Sequence, residues 1–103
     1  MSLEQLDLQH QLSRNAVHHV NAGTQTEDGL RQGAIAGMNQ ITQIRGEQIP
    51  EECRRALNEL ADAFMAVGLA WGLEKTKNPD EILTIRRMII EFGEVMDRHY
   101  GQN

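Results

Sequence analysis

Between Pro50 and Leu73 the apolar residues first line one helical face and then, past Ala63, occupy every face. Cys53, Leu57, Leu60, Phe64, Val67 and Trp71 recur at alternating spacings of four and three, a heptad seam that Ala56, Ala63 and Ala70 widen. From Ala63 to Leu73 no polar residue interrupts the run. A helix apolar all round has to be covered from several sides, and a chain of 103 residues has few elements for the purpose. The pattern therefore predicts that part of the cover comes from a second protomer. Eleven residues are too few to cross a bilayer, so a membrane span is not expected.

The rest of the chain also reads as helix. Pro50 suits a first helical position, and Glu51 and Glu52 complement the dipole of the helix they open. Asn78, Pro79, Asp80 and Glu81 read as N-cap, first-turn proline and two acids, with Gly101 available to close the far end. Between them Ile82, Ile85, Ile89, Phe92 and Met96 form an inward seam flanked by Met88, Val95 and Tyr100. Arg86, Arg87, Glu91, Glu94 and Arg98 read as the wet face. An earlier helix is predicted from about Thr26 to Arg45, with Thr24 and Glu27 at capping-box spacing, Leu30, Ala34, Met38 and Ile41 on one side, and Arg45 at its C-terminus. Only Gly46 to Ile49 separate it from the Pro50 helix, which predicts an antiparallel hairpin.

At the N-terminus Ser2 and Gln5 have capping-box spacing, and Leu3, Leu6, Leu12, Ala16, Val17 and Val20 are loosely periodic. The polar run from Gln9 to Asn15 weakens that stripe, so the helix predicted over 3–19 is one ordered by packing on a neighbour. The expected architecture is all-α, three or four helices in one domain over 1–103: an N-terminal helix within 1–23, a central antiparallel helical hairpin over 24–73 and a C-terminal helix over 78–101.

Charge and cysteine content narrow the function classes. Ten Lys and Arg against fifteen Asp and Glu give a net charge of −5, which disfavours duplex nucleic acid as a partner. One cysteine builds no disulfide framework and no secretory leader is recognisable, so a reducing, cytoplasmic setting is expected. His18 and His19 point about 100° apart on a helix, His10 and His99 lack partners at ligand spacing, and no metal motif is present, so no metal or cofactor is expected. Cys53 lies on the apolar seam, where a thiol is an inert core residue, and the acids Glu51, Glu52, Glu59 and Asp62 read as a solvated face interleaved with Arg54 and Arg55. The chain is therefore read as a non-enzyme.

Gly29, Gly33 and Gly37 recur every fourth residue within one predicted helix, giving up roughly 3 kcal/mol of helix propensity. Two readings offset that loss. The stripe is either a close intramolecular contact with Gly68 and Gly72, or a groove for another protomer or a flat ligand. On the second reading Gly29, Gly33, Gly37, Gly68, Leu69 and Trp71 are the candidate oligomer interface. Gly33 and Gly37, with Arg31, Arg45 and Arg54 supplying positive charge, are then the candidate ligand site.

Met38, Asn39 and Ile41 on one predicted helix, with Leu60, Phe64, Met65, Ala66 and Ala70 on the next, resemble the central hairpin of phage anti-CBASS and anti-Thoeris cyclic-nucleotide sponge proteins. The resemblance covers residues 27–72. His18 to Thr26 is polar and small where the family carries a basic, tyrosine-containing segment, Leu69 stands where an arginine is expected, and the helix after Pro79 is additional. The resemblance implies a small helical homo-oligomer that captures a cyclic di- or trinucleotide without hydrolysing it. Reading from residues alone leaves a second possibility open, a protein-protein adaptor or inhibitor whose apolar excess is its contact surface.

Overall fold

The computed structural model describes residues 3–101, with side chains placed from Leu8 onward. Ser2 of the proposed capping box and the side chains of Leu3 and Leu6 lie outside the described residues. Five α-helices and one 3-10 turn follow in order: α1 (Leu3–Asn21), α2 (Glu27–Ile41), the 3-10 turn (Gly46–Gln48), α3 (Glu51–Val67), α4 (Leu69–Lys75) and α5 (Pro79–Tyr100). The fold is all-α, as the periodicity predicts, but with five helices in place of three or four. The extra break falls in the apolar run, where Gly68 turns left-handed at φ 97° and its N–H donates to Met65 O at 3.1 Å. Only glycine takes that backbone without strain, and it ends α3 one turn short of Trp71.

Local chemistry sets the other boundaries. Asn78 Oδ1 accepts from Asp80 N at 3.0 Å, Pro79 occupies the first turn of α5, and Gly101 closes that helix in left-handed geometry. The cap of α2 is Thr26, whose Oγ1 accepts from Gly29 N at 2.9 Å, so the Thr24–Glu27 box does not form. Pro50 is the residue before α3, its extended backbone serving as N-cap. Arg45 falls outside α2 altogether, which stops at Ile41.

The inward seam of α5 is realised in full, with Ile82, Ile85, Ile89, Phe92 and Met96 all buried. Helices α1, α2 and α3 each pack on α5, and α4 packs on α2 and α3. The anticipated α2–α3 hairpin takes a different form. The two helices lean on α5 without packing along each other, because the apolar and glycine faces of α2 are already taken by α1 and α5. An ideal Cβ at Gly33 would stand 2.8 Å from His19 O and 2.9 Å from Arg86 Nη1, and one at Gly37 would stand 3.0 Å from Val20 Cγ2. The glycine stripe is thus an intramolecular contact, made with α1 and not with Gly68 and Gly72.

Arg86 departs from the wet face assigned to it. Its side chain is buried, Nη1 donating to Leu30 O at 3.0 Å and Nη2 to Val20 O. Among the described residues it has no carboxylate partner. Burial lowers its pKa, yet a guanidinium keeps its proton, so α5 carries a positive charge into the core. Val20 O belongs to the last turn of α1, where unpaired carbonyls and the negative end of the helix dipole receive it. The polar residues that weaken the α1 stripe are also placed inward and satisfied: Ser13 Oγ donates to His10 O at 2.7 Å, and Gln9 Oε1 accepts from Arg45 N at 2.8 Å.

Arg86→Met should lower stability by about 2 kcal/mol, because the buried Val20 carbonyl loses its donor and the bond to Leu30 O is lost as well, with Arg86→Lys intermediate. Gly33→Ala should cost about 1 kcal/mol net, overpacking exceeding the gain in helix propensity. Urea midpoints at constant m-value measure both.

Candidate interaction surface

Because α2 and α3 rest on α5 without closing on each other, a groove of about 340 Å³ opens between them. Met38, Ile41, Thr42 and Ile44 form one wall. Leu57, Asn58, Ala61, Phe64, Met65 and Leu69 form the other. Only Thr42 and Asn58 carry polar side chains, and no charged residue lines it. Its size is at the low end for small-ligand pockets, and it has no cation for a phosphate, its polar groups being the Asn58 amide and the Thr42 hydroxyl, which donates to Asn39 O at 3.1 Å. Apolar side chains delivered on another polypeptide match it better.

The lip of the groove is where the apolar run fails to be buried. Met65 is 60% exposed and Leu69 50% exposed, while Trp71, on the opposite flank of α4, is 71% exposed. The sequence pattern predicts cover on all sides here; instead Met65 faces solvent from the last turn of α3, and Leu69 and Trp71 do so after the break at Gly68. Leu69 also sits at φ 62°, a left-handed backbone that costs a leucine about 1–2 kcal/mol. A strained, solvent-facing apolar residue is an uncompensated expense unless something else contacts it.

The residues proposed for a ligand site do not converge. Gly33 and Gly37 are buried beneath α1. Arg31 Nη1 donates to Leu73 O at 2.6 Å and Glu74 O at 3.1 Å, tying α2 to the end of α4. Arg54 donates from Nε to Gly46 O at 2.9 Å and from Nη2 to Ile49 O at 3.2 Å, which holds the 3-10 turn against α3. Arg45 is exposed and pairs with Glu47 at 3.2 Å. Of the interface candidates, Gly29 packs against the Gly23 turn, whereas Gly68, Leu69 and Trp71 are exposed. Sequence reasoning missed the groove wall of Leu57, Ala61 and Met65, although their spacing of four was a readable signal.

Titratable groups gather at the C-terminal end of α5, away from the groove. His10 Nε2 and Asp97 Oδ1 are 2.6 Å apart, and the His10 ring stacks on Tyr100 at 5.4 Å between centroids. His99 Nε2 lies 2.7 Å from Glu52 Oε2, and that contact holds the Glu52 carboxyl below its ordinary pKa. The pairs staple α5 to α1 and α3. Burial pushes the Cys53 thiol above its ordinary pKa and does the same to the Tyr100 phenol, whose hydroxyl is enclosed without a hydrogen-bond partner. A thiol held protonated in the core is a poor nucleophile. Among the described residues no three of His, Cys, Asp and Glu converge as a metal would need, and no helix is long and apolar enough to cross a membrane.

The chain matches no protein-family model, no curated protein and no solved structure. Its function is therefore argued from its own surface.

Both raised pKa values make the folded state hold protons that the unfolded chain releases. Their stabilising effect is complete below the unfolded values and is lost as pH rises through the folded ones. Urea midpoints should therefore fall from about pH 8.5 upward, and more shallowly in Cys53→Ala. In dilute solution Leu69→Asn should raise stability by about 0.5 kcal/mol, since asparagine tolerates left-handed backbone.

Proposed function

We propose that this protein is a non-enzymatic binding protein that acts by docking another polypeptide in the groove between α2 and α3. The observation that carries the reading is an uncharged apolar groove whose lip holds Met65 and a strained Leu69 in solvent. Monomeric proteins rarely leave such apolar surface contiguous without using it. Helix-in-groove recognition requires an apolar floor and anchor points at helical spacing, and Leu57, Ala61 and Met65 supply them on one side.

The rival proposal, a sponge for cyclic oligonucleotides, rests on the hairpin resemblance and needs arginines facing a glycine groove. That groove is filled by α1, and Arg31 and Arg54 are engaged with backbone carbonyls, which leaves Arg45 as the freest of the proposed cations. The same geometry that weakens the sponge favours the adaptor or inhibitor.

A photo-crosslinking amino acid at Met65 in expressing cells should give a discrete protein adduct, and the same group at Arg87, exposed on α5, should not. Calorimetry with cyclic di- and trinucleotides should show no heat at tens of micromolar. Micromolar nucleotide binding that Arg45→Ala weakens, with no adduct at position 65, would replace this proposal with the sponge.

A further inference from the structure

We infer that Met65 is an oxidation-sensitive control on the groove: a hydroperoxide converts its thioether to the sulfoxide while the buried sulfurs of the described structure are shielded, and the sulfoxide at the lip turns away an apolar partner. The control over docking rests on the reading of the groove as a protein-binding surface. The selectivity of the oxidation does not.

Selectivity follows from burial. Met65 is exposed in the last turn of α3, whereas Met38 and Met96 are buried in the core and Met88 is half-buried on α5. Oxidation of a core methionine has to wait for the fold to open, and is slowed by the small fraction of time it spends open. The remaining sulfur, Cys53, is also fully buried, and burial holds its thiol protonated, whereas the thiolate is the form a peroxide attacks. A thioether has no proton to lose before it reacts, so for Met65 access alone decides.

The step is a transfer of one oxygen. A lone pair on Met65 Sδ forms an S–O bond to one peroxide oxygen as the O–O bond breaks, so sulfur is oxidised and the peroxide reduced. The proton on the transferred oxygen passes to the departing hydroxide, and hydrogen peroxide leaves as water. An apolar side chain thereby becomes a polar one with a strong acceptor.

In the free chain that acceptor faces water. Beneath a docked partner it needs a donor, and the side-chain donors lining the groove are the Asn58 amide and the Thr42 hydroxyl. Asn58 lies about 10 Å back along α3, and the Thr42 hydroxyl is given to Asn39 O. On the α3 rim the carboxylate of exposed Asp62 only accepts, and Arg54, three turns away, is committed to Gly46 O and Ile49 O. An apolar partner seated on the sulfoxide would therefore bury an unpaired acceptor, which weakens docking about tenfold or more.

Hydrogen peroxide added to the purified chain, followed by peptide mass spectrometry, tests the selectivity. Sulfoxide at Met65 should form at least about tenfold faster than at Met38 or Met96, with Cys53 unmodified and the urea midpoint unchanged once Met65 is converted. Equal rates at Met65 and Met38 overturn the inference. A photo-crosslinking amino acid at Asn58, exposed on the groove wall, tests the control in expressing cells. After peroxide the adduct should fall about tenfold in the chain carrying Met65, and by less than about twofold in Met65→Leu, whatever its level before treatment. An adduct that survives complete conversion of Met65 overturns the control and leaves docking standing. Absence of any adduct before peroxide removes the docking reading, and the control with it.

Discussion

The arrangement depends on one buried positive charge. Arg86 brings a guanidinium from α5 to the carbonyl of Val20 in the last turn of α1 and to that of Leu30 in α2, so a single side chain joins three helices. Burying a charge is costly, and here it is offset by two backbone acceptors, of which Val20 O, at the C-terminal end of α1, would otherwise need a partner of its own. The glycines of α2 belong to the same construction, since a methyl group at Gly33 would contact both His19 O and Arg86 Nη1. Close approach of α1 and α2 and the reach of Arg86 are two sides of one constraint.

That constraint determines what remains open. With its glycine face committed to α1 and the rest of its packing shared between α5 and α4, α2 meets α3 only across the groove that Met38 and Ile41 line. Helix α3 packs on α5, where the Cys53 thiol lies 3.9 Å from Val95 O, and the staple between Glu52 and His99 fixes its N-terminal half. The groove is the space left between two helices that are each satisfied elsewhere. Its apolar lining, with Met65 exposed at the end of α3 and Leu69 exposed after Gly68, then gives the molecule a surface suited to a protein partner.

Much of the fold was legible from residue spacing. The seam of α5, its Asn78 cap and Gly101 close, and the helical character of every long segment follow from short-range chemistry that tertiary contacts leave undisturbed. Arg86 was assigned to solvent because charge outweighs position in a one-residue reading. Its place beside Ile85 and four residues after Ile82, with small Gly93 seven residues on, marks it as inward. Gln9 and Ser13 were misleading for the same reason: they occupy core positions of α1 and satisfy their polar atoms locally. The glycine stripe was left open between a close contact with Gly68 and Gly72 and a groove for another protomer or a ligand; it packs on α1, and spacing within one helix does not say which helix approaches. The groove was the least legible feature, because it arises from the absence of a contact between two helices whose short connection suggests one.

The account's central claim is that Arg86 locks α1, α2 and α5 into a unit while the face around the α3–α4 break stays free for a partner. Amide hydrogen exchange of the isolated chain, resolved by residue, tests it directly. Amides in the second half of α1, in α2 and in the middle of α5 should exchange only through global unfolding. Those from Met65 to Trp71 should exchange quickly. Early exchange in α1, or protection from Met65 to Trp71 as complete as that of α2, would contradict it.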